Sequence, residues 1–139
     1  RLDILLTKTV SNGEKNIEES GRNVKNKKIN DQQKQYEHCY VEVKNCTLVE
    51  NSVARFPDAV TTRGQKHLLE LERLVKEGHR GVLFFLIQRM DADRFMPAAD
   101  IDPEYARLLY DVQKSGVEII VRSAVMTTEK ISLSNARNS

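Results

Sequence analysis

Hydrophobic positions along the chain fall into short blocks broken by one long polar tract. Leu2 to Leu6 is an apolar run that reads as a strand. From Thr7 to His38 the only hydrophobic residues are Val10, Ile17, Val24, Ile29 and Tyr36, spread over 32 positions rich in Asn, Lys, Gln and Glu. So sparse a set cannot bury enough apolar surface to offset the entropy of ordering, so the tract reads as a disordered insert between two strands. A helical turn between Ile29 and Tyr36 would be marginal alone. Alternation resumes at Cys39, with Tyr40, Glu42 and Lys44 on one face and Cys39, Val41 and Val43 on the other. This strand is expected to run on toward Leu48 and Val49. Glu50 to Asp58, which contains Asn51-Ser52 and Pro57, reads as loop.

Two helices follow from spacing and caps. Thr62 caps a helix reaching about Glu77, with Leu68, Leu71, Leu74 and Val75 on one stripe and Gly78 as its stop. Asp102 caps a second helix that begins with Pro103 and carries Leu108, Leu109 and Val112 toward Gly116. Between them, Gly81 to Ile87 is a continuous apolar run, as expected of a central strand covered on both faces. Phe95-Met96-Pro97 reads as a loop packed over the core. Val117 to Val121 is a strand, and Ala124 to Leu133 closes as a hairpin around Thr127 to Lys130. The order β, insert, β, α, β, α, β and a β extension, without internal repeats, specifies an α/β or mixed α+β sheet domain.

Composition narrows this picture. A chain of 139 residues supports one core. Hydrophobic content is 40% and mean hydropathy −0.52, polar for a globular domain. Trp is absent, two cysteines cannot make a disulfide-dense scaffold, and no apolar run approaches the roughly 20 residues of a membrane span. The expectation is a cytoplasmic protein with no membrane partner, and nothing in the sequence sets its oligomeric state. The first residue is Arg1, so native sequence is expected upstream. Net charge is +2, and the insert alone holds seven bases against five acids. The remainder is therefore neutral and exerts no bulk pull on a polyanion.

Chemistry concentrates in two places. Glu42 and Lys44 lie two apart on a strand and so share a face; if the first strand pairs with this one, Asp3 joins them at the same sheet edge. Two carboxylates so placed make a hard-oxygen site for Mg²⁺ or Mn²⁺, and an adjacent ammonium can orient water or stabilise charge on phosphorus. The plainer alternative is a solvated ion pair on a half-exposed strand. The second cluster is Arg63, Lys66 and His67 in the first turn of a helix. Bases there oppose the helix dipole, which suits a phosphate-facing surface; the alternative is a solvated turn with Arg63 paired to Asp58. Gln65 can reach a bound water or a base, or sit in solvent. Cys39 and Cys46 fall on opposite faces of an uninterrupted strand and read as reduced thiols, and His38 and His79 lack ligand spacing with either. No Gly-rich phosphate loop and no nucleophile elbow is present.

At these residues the sequence resembles the sugar fermentation stimulation protein A family. The matching stretches are Arg1-Leu2-Asp3, Tyr40 to Leu48, the specific run Phe56-Pro57-Asp58-Ala59-Val60-Thr61-Thr62-Arg63-Gly64-Gln65-Lys66-His67-Leu68, then Gln88-Arg89, Phe95 to Ala98, Ile101 to Ala106 and Gly116-Val117-Glu118. The resemblance covers most of the chain outside the insert. It implies a restriction-endonuclease-like PD-(D/E)xK core spanning residues 1–139 and carrying a 7–38 insert, with the family's N-terminal OB-like domain absent from this chain. It also implies a cation of the Mg²⁺ or Mn²⁺ type held by Asp3 and Glu42. Asp3, Glu42, Lys44 and Gln65 would form the catalytic set, and Arg63, Lys66 and His67 would face DNA. Two functions follow: metal-dependent phosphodiester hydrolysis, or DNA binding without catalysis in a regulator of sugar metabolism. An inactive fragment is the third reading.

Overall fold

The computed structural model describes residues 4–7, 38–126, 130–135 and 137–138, with side chains over 38–125 and 130–134. β1 (Ile4–Thr7) pairs antiparallel with β2 (His38–Cys46), from Ile4 opposite Val41 to Thr7 opposite His38. Both ends of the expected insert are thus strand residues, and the tract between them, 8–37, lies outside the described residues.

β2 stops at Cys46 instead of continuing through Val49. β3 (Leu48–Glu50) and β4 (Val53–Phe56) form a separate antiparallel hairpin in a second sheet. The expected loop over 50–58 is therefore largely strand. Asn51 and Ser52, with φ of 49° and 63°, make a two-residue turn with both central residues left-handed. Turn residues that seemed to mark a loop mark only the tip of a hairpin.

α1 (Thr62–Lys76) is capped one residue earlier than expected. The Thr61 hydroxyl accepts from the Gly64 N–H at 3.0 Å, and Gly78 ends the run at φ 98°. β5 (Arg80–Ile87) lies parallel to β2 and to β7 (Glu118–Met126), the crossovers running through α1 and α2 (Pro103–Lys114). β6 (Arg94–Pro97), expected as loop, is a strand parallel to β4. It buries Phe95 against Phe85, with ring centroids 4.6 Å apart. β8 (Ile131–Asn135) closes a hairpin on β7 from Met126 opposite Ile131, the tip at 127–129 lying outside the described residues. β9 (Arg137–Asn138) joins the second sheet beside β6.

The main sheet has the order β1-β2-β5-β7-β8 and the second β3-β4-β6-β9. Leu83, Phe85 and Ile87 are buried on the face of β5 toward α1, whose Leu71 and Val75 lie against Gly81. The opposite face is less fully covered. Val43, Phe84 and Ile120, cross-strand neighbours there, are only half-buried, contrary to the expectation of a strand sealed on both sides. Asp102 is fully buried at the α2 cap. Besides the α2 cap contact from Tyr105 N–H (2.9 Å), it accepts from Thr61 N–H (2.9 Å) and the Gln65 amide (3.0 and 3.1 Å), so one carboxylate joins the starts of both helices. Burial opposes its ionisation, but these donors outweigh burial and hold its carboxyl below the usual range.

Candidate functional site

The pleat of β2 turns Glu42, Lys44 and Cys46 toward α1, and α1 lays His67 over them. Glu42 is 1% exposed, so the reading of a solvated ion pair does not describe it. Lys44 Nζ donates to Glu42 Oε1 at 2.7 Å, His67 Nδ1 touches the same oxygen, and Nζ lies 3.2 Å from Nδ1. Three polar atoms thus form a closed triangle beneath the helix. The other carboxylate oxygen, Glu42 Oε2, is buried with no hydrogen-bond partner among the described residues. Buried carboxylate oxygens are ordinarily satisfied, so Oε2 is the atom of this cluster to which a further donor or a cation would bind.

The helix approaches closely because Gly64 has no side chain. A Cβ there would lie 2.7 Å from Thr61 Cγ2 and 3.1 Å from Tyr105 Cε2. Tyr105 is fully buried, and its hydroxyl likewise has no hydrogen-bond partner among the described residues. Burial first, then the charges of Cys46, Glu42 and Asp102, raises it well above the usual phenol range. Burial also pushes the Cys46 thiol up to about 12.

The expected site residues therefore divide. Glu42, Lys44 and His67 are brought together, and His67, anticipated as facing DNA, is only 8% exposed and turned onto Glu42. Arg63 and Lys66 are exposed, and among the described residues neither has an ion pair; the Arg63–Asp58 pair is not formed. The Gln65 amide is engaged by Asp102. Asp3 lies outside the described residues. No group of three or more His, Cys, Asp or Glu able to hold a metal occurs among the described residues, so a cation at Glu42 would need a ligand from beyond them. Sequence reasoning missed the contact of His67 with Glu42 and the buried tie from Asp102 to Gln65. An apolar stripe on α1 with His67 one residue before Leu68 was the available hint that His67 points inward.

Comparison with known proteins identifies the family. Residues 1–130 match the model of the sugar fermentation stimulation protein RE domain. A sugar fermentation stimulation protein homolog of Pelobacter propionicus is 61% identical over 95 residues, covering 68% of this chain and 41% of that protein. One from Shewanella sediminis is 55% identical over 96 residues, covering 69% and 38%. The chain thus spans about two fifths of the length of these relatives. Among solved structures, Pyrococcus furiosus SfsA in complex with Ca²⁺ superposes with a TM-score of 0.66 at 31% identity, over 71% of this chain and 43% of that one.

Proposed function

Because the chain belongs to the sugar fermentation stimulation protein family, we propose that the Glu42 cluster is the acidic half of a divalent-cation site that hydrolyses phosphodiester bonds in DNA. The observation that carries this reading is the buried Glu42 carboxylate, one oxygen held by Lys44 and His67 and the other without a hydrogen-bond partner among the described residues. Asp3 is the proposed second ligand. It precedes Ile4, which is the partner of Val41, the residue before Glu42, and that register supports a shared ion. Hard carboxylate oxygens suit Mg²⁺ or Mn²⁺, and the Ca²⁺ complex of Pyrococcus furiosus SfsA supports a divalent ion.

A bound cation would supply Lewis acidity toward a phosphoryl oxygen and acidify a coordinated water. Glu42 and Asp3 would hold the cation, and Lys44 Nζ would orient water and stabilise charge on the phosphoryl oxygens. Arg63 and Lys66, exposed and without an ion pair among the described residues, hold the flanking phosphates. Gln65, tied to Asp102, keeps the first turn of α1 in place for them. Two free thiols support a reducing, cytoplasmic setting, and among the described residues no helix is long and apolar enough to cross a membrane.

One observation favours a second reading. The Lys44 ammonium is already paired with the Glu42 carboxylate, a contact that needs no cation and that suits a DNA-binding regulator with no catalysis. Incubation of the purified protein with single- and double-stranded DNA and Mg²⁺ or Mn²⁺ separates the two. Hydrolysis requires cleavage that Glu42→Gln abolishes while the circular dichroism spectrum is kept. Salt-sensitive binding that is indifferent to EDTA, with no cleavage, establishes the regulator instead.

A further inference from the structure

We infer that Asp102, at the start of α2, is the positioning residue for the DNA-facing bases of α1: its buried carboxylate sets the angle at which Arg63 and Lys66 meet phosphate. The inference rests on the reading of those two bases as phosphate contacts, while the tie itself consists of contacts within the protein.

α1 opens unfavourably on its own terms. Its first turn contains no acid, and Arg63 and Lys66 place positive charge where the helix dipole is already positive. α2 adds to this. Its start lies beside that of α1, and its C-terminal cap, Ser115, donates from its hydroxyl to Glu72 Oε1 near the other end of α1, at 2.6 Å. The two helices therefore run in the same direction, with their positive ends together. Asp102 is the anion at that junction. Stability alone would be served by an acid in the first turn of α1 itself. The counter-charge comes instead from the neighbouring helix, on a side chain 1% exposed, and the surface of that turn is left to its bases.

The contacts divide between the two carboxylate oxygens. Oδ1 accepts from the Tyr105 N–H at 2.9 Å and so caps α2, and Oδ2 accepts at 2.9 Å from the N–H of Thr61, the residue that caps α1. The Gln65 amide reaches both oxygens, at 3.0 and 3.1 Å. Gln65 stands between Arg63 and Lys66 in the chain, and residues at i and i+3 share a helix face. A hold on Thr61 and Gln65 therefore fixes the roll of this turn about the helix axis, and with it the direction both bases take. Gly64 lets the turn rest on α2 as well, since a Cβ there would lie 3.1 Å from Tyr105 Cε2.

Two variants cut the tie from opposite sides. Asn is as good an N-cap as Asp, so Asp102→Asn can keep the bond from the Tyr105 N–H but turns an NH₂ toward the Thr61 N–H. Gln65→Ala leaves the carboxylate and removes the amide from a helix position that Ala suits. Binding to a fluorescein-labelled DNA duplex, followed by anisotropy, is expected to weaken about tenfold in each, within the coupling seen between residues in contact. In a protein already carrying Arg63→Ala and Lys66→Ala, either change is expected to alter affinity by less than about twofold. A loss of equal size in both backgrounds overturns the positioning role, because a purely structural effect does not depend on those bases. Unchanged affinity in both variants overturns it too. Amide hydrogen exchange tests the tie without DNA: Asp102→Asn is expected to speed exchange at Thr61, Gly64 and Gln65 while Tyr105 and Ala106 keep their protection. Unaltered exchange at the start of α1 overturns the tie. A parent that binds DNA no better than the Arg63→Ala, Lys66→Ala protein refutes the phosphate-contact reading itself, and the exchange result then decides separately whether Asp102 holds α1.

Discussion

Burying an ionised carboxylate costs several kcal/mol unless its oxygens are satisfied, and among the described residues only one oxygen of Glu42 has a hydrogen-bond partner. Such a residue is kept by what it does more than by what it stabilises. The neighbouring Cys46 shows the contrast, since nothing in its surroundings favours a thiolate: burial alone pushes its thiol up to about 12. A thiol-reactive disulfide reagent at pH 8 should therefore label Cys46 only as fast as the protein unfolds; rapid labelling in the native state would show that the site is open to solvent. Glu42 and Lys44 were legible in the sequence because period two along a strand puts neighbours at i and i+2 on one face. The contact of His67 with them was not, because 25 residues and a change of element separate His67 from Glu42. Helix position alone suggested a cation in a solvated first turn, whereas the tertiary fold rolls His67 under the helix.

At the scale of elements, the two helices are joined at their starts by Asp102, which accepts from Thr61, Gln65 and Tyr105. Its removal strands buried donors at two helix starts, so Asp102→Ala should destabilise the protein by about 2–3 kcal/mol, measured by urea unfolding. The pH dependence has a definite sign. The folded carboxyl lies below its unfolded value of about 3.9, so its contribution is present above that pH and fades as pH falls through the folded pKa. The stability gap between the parent and Asp102→Asn should accordingly be wide at pH 7 and narrow near pH 3. A gap unchanged between those values would show that folding does not shift the Asp102 carboxyl, and a gap that widens toward pH 3 would show that it is protonated in the native state. Helices and buried strands were readable because each carried its period and caps. The second sheet was not, because its strands are only two to four residues long and one hairpin turns on Asn51-Ser52, a pair that also signals plain loop. Phe95 had the same ambiguity: one buried apolar residue in four positions fits a packed loop and a short strand equally well.

For the molecule as a whole, the near-zero charge outside the 7–38 tract means that any polyanion must be held by placement. Arg63 and Lys66 are the exposed bases nearest the candidate site in sequence, on the same helix as His67. Replacing both with Ala should weaken DNA binding about equally for all sequences and lower the slope of log K against log salt by about 2, measured by fluorescence anisotropy. An unchanged slope would place the phosphate contacts elsewhere. The pairing of Thr7 with His38 has a separate consequence. Cross-strand partners lie about 5 Å apart, the span of a tight turn, so the fold fixes both ends of a 30-residue excursion at one point on its rim. The ends of β1 and β2 thus form a point of entry beside the strand that carries Glu42, where added chain length costs little loop-closure entropy.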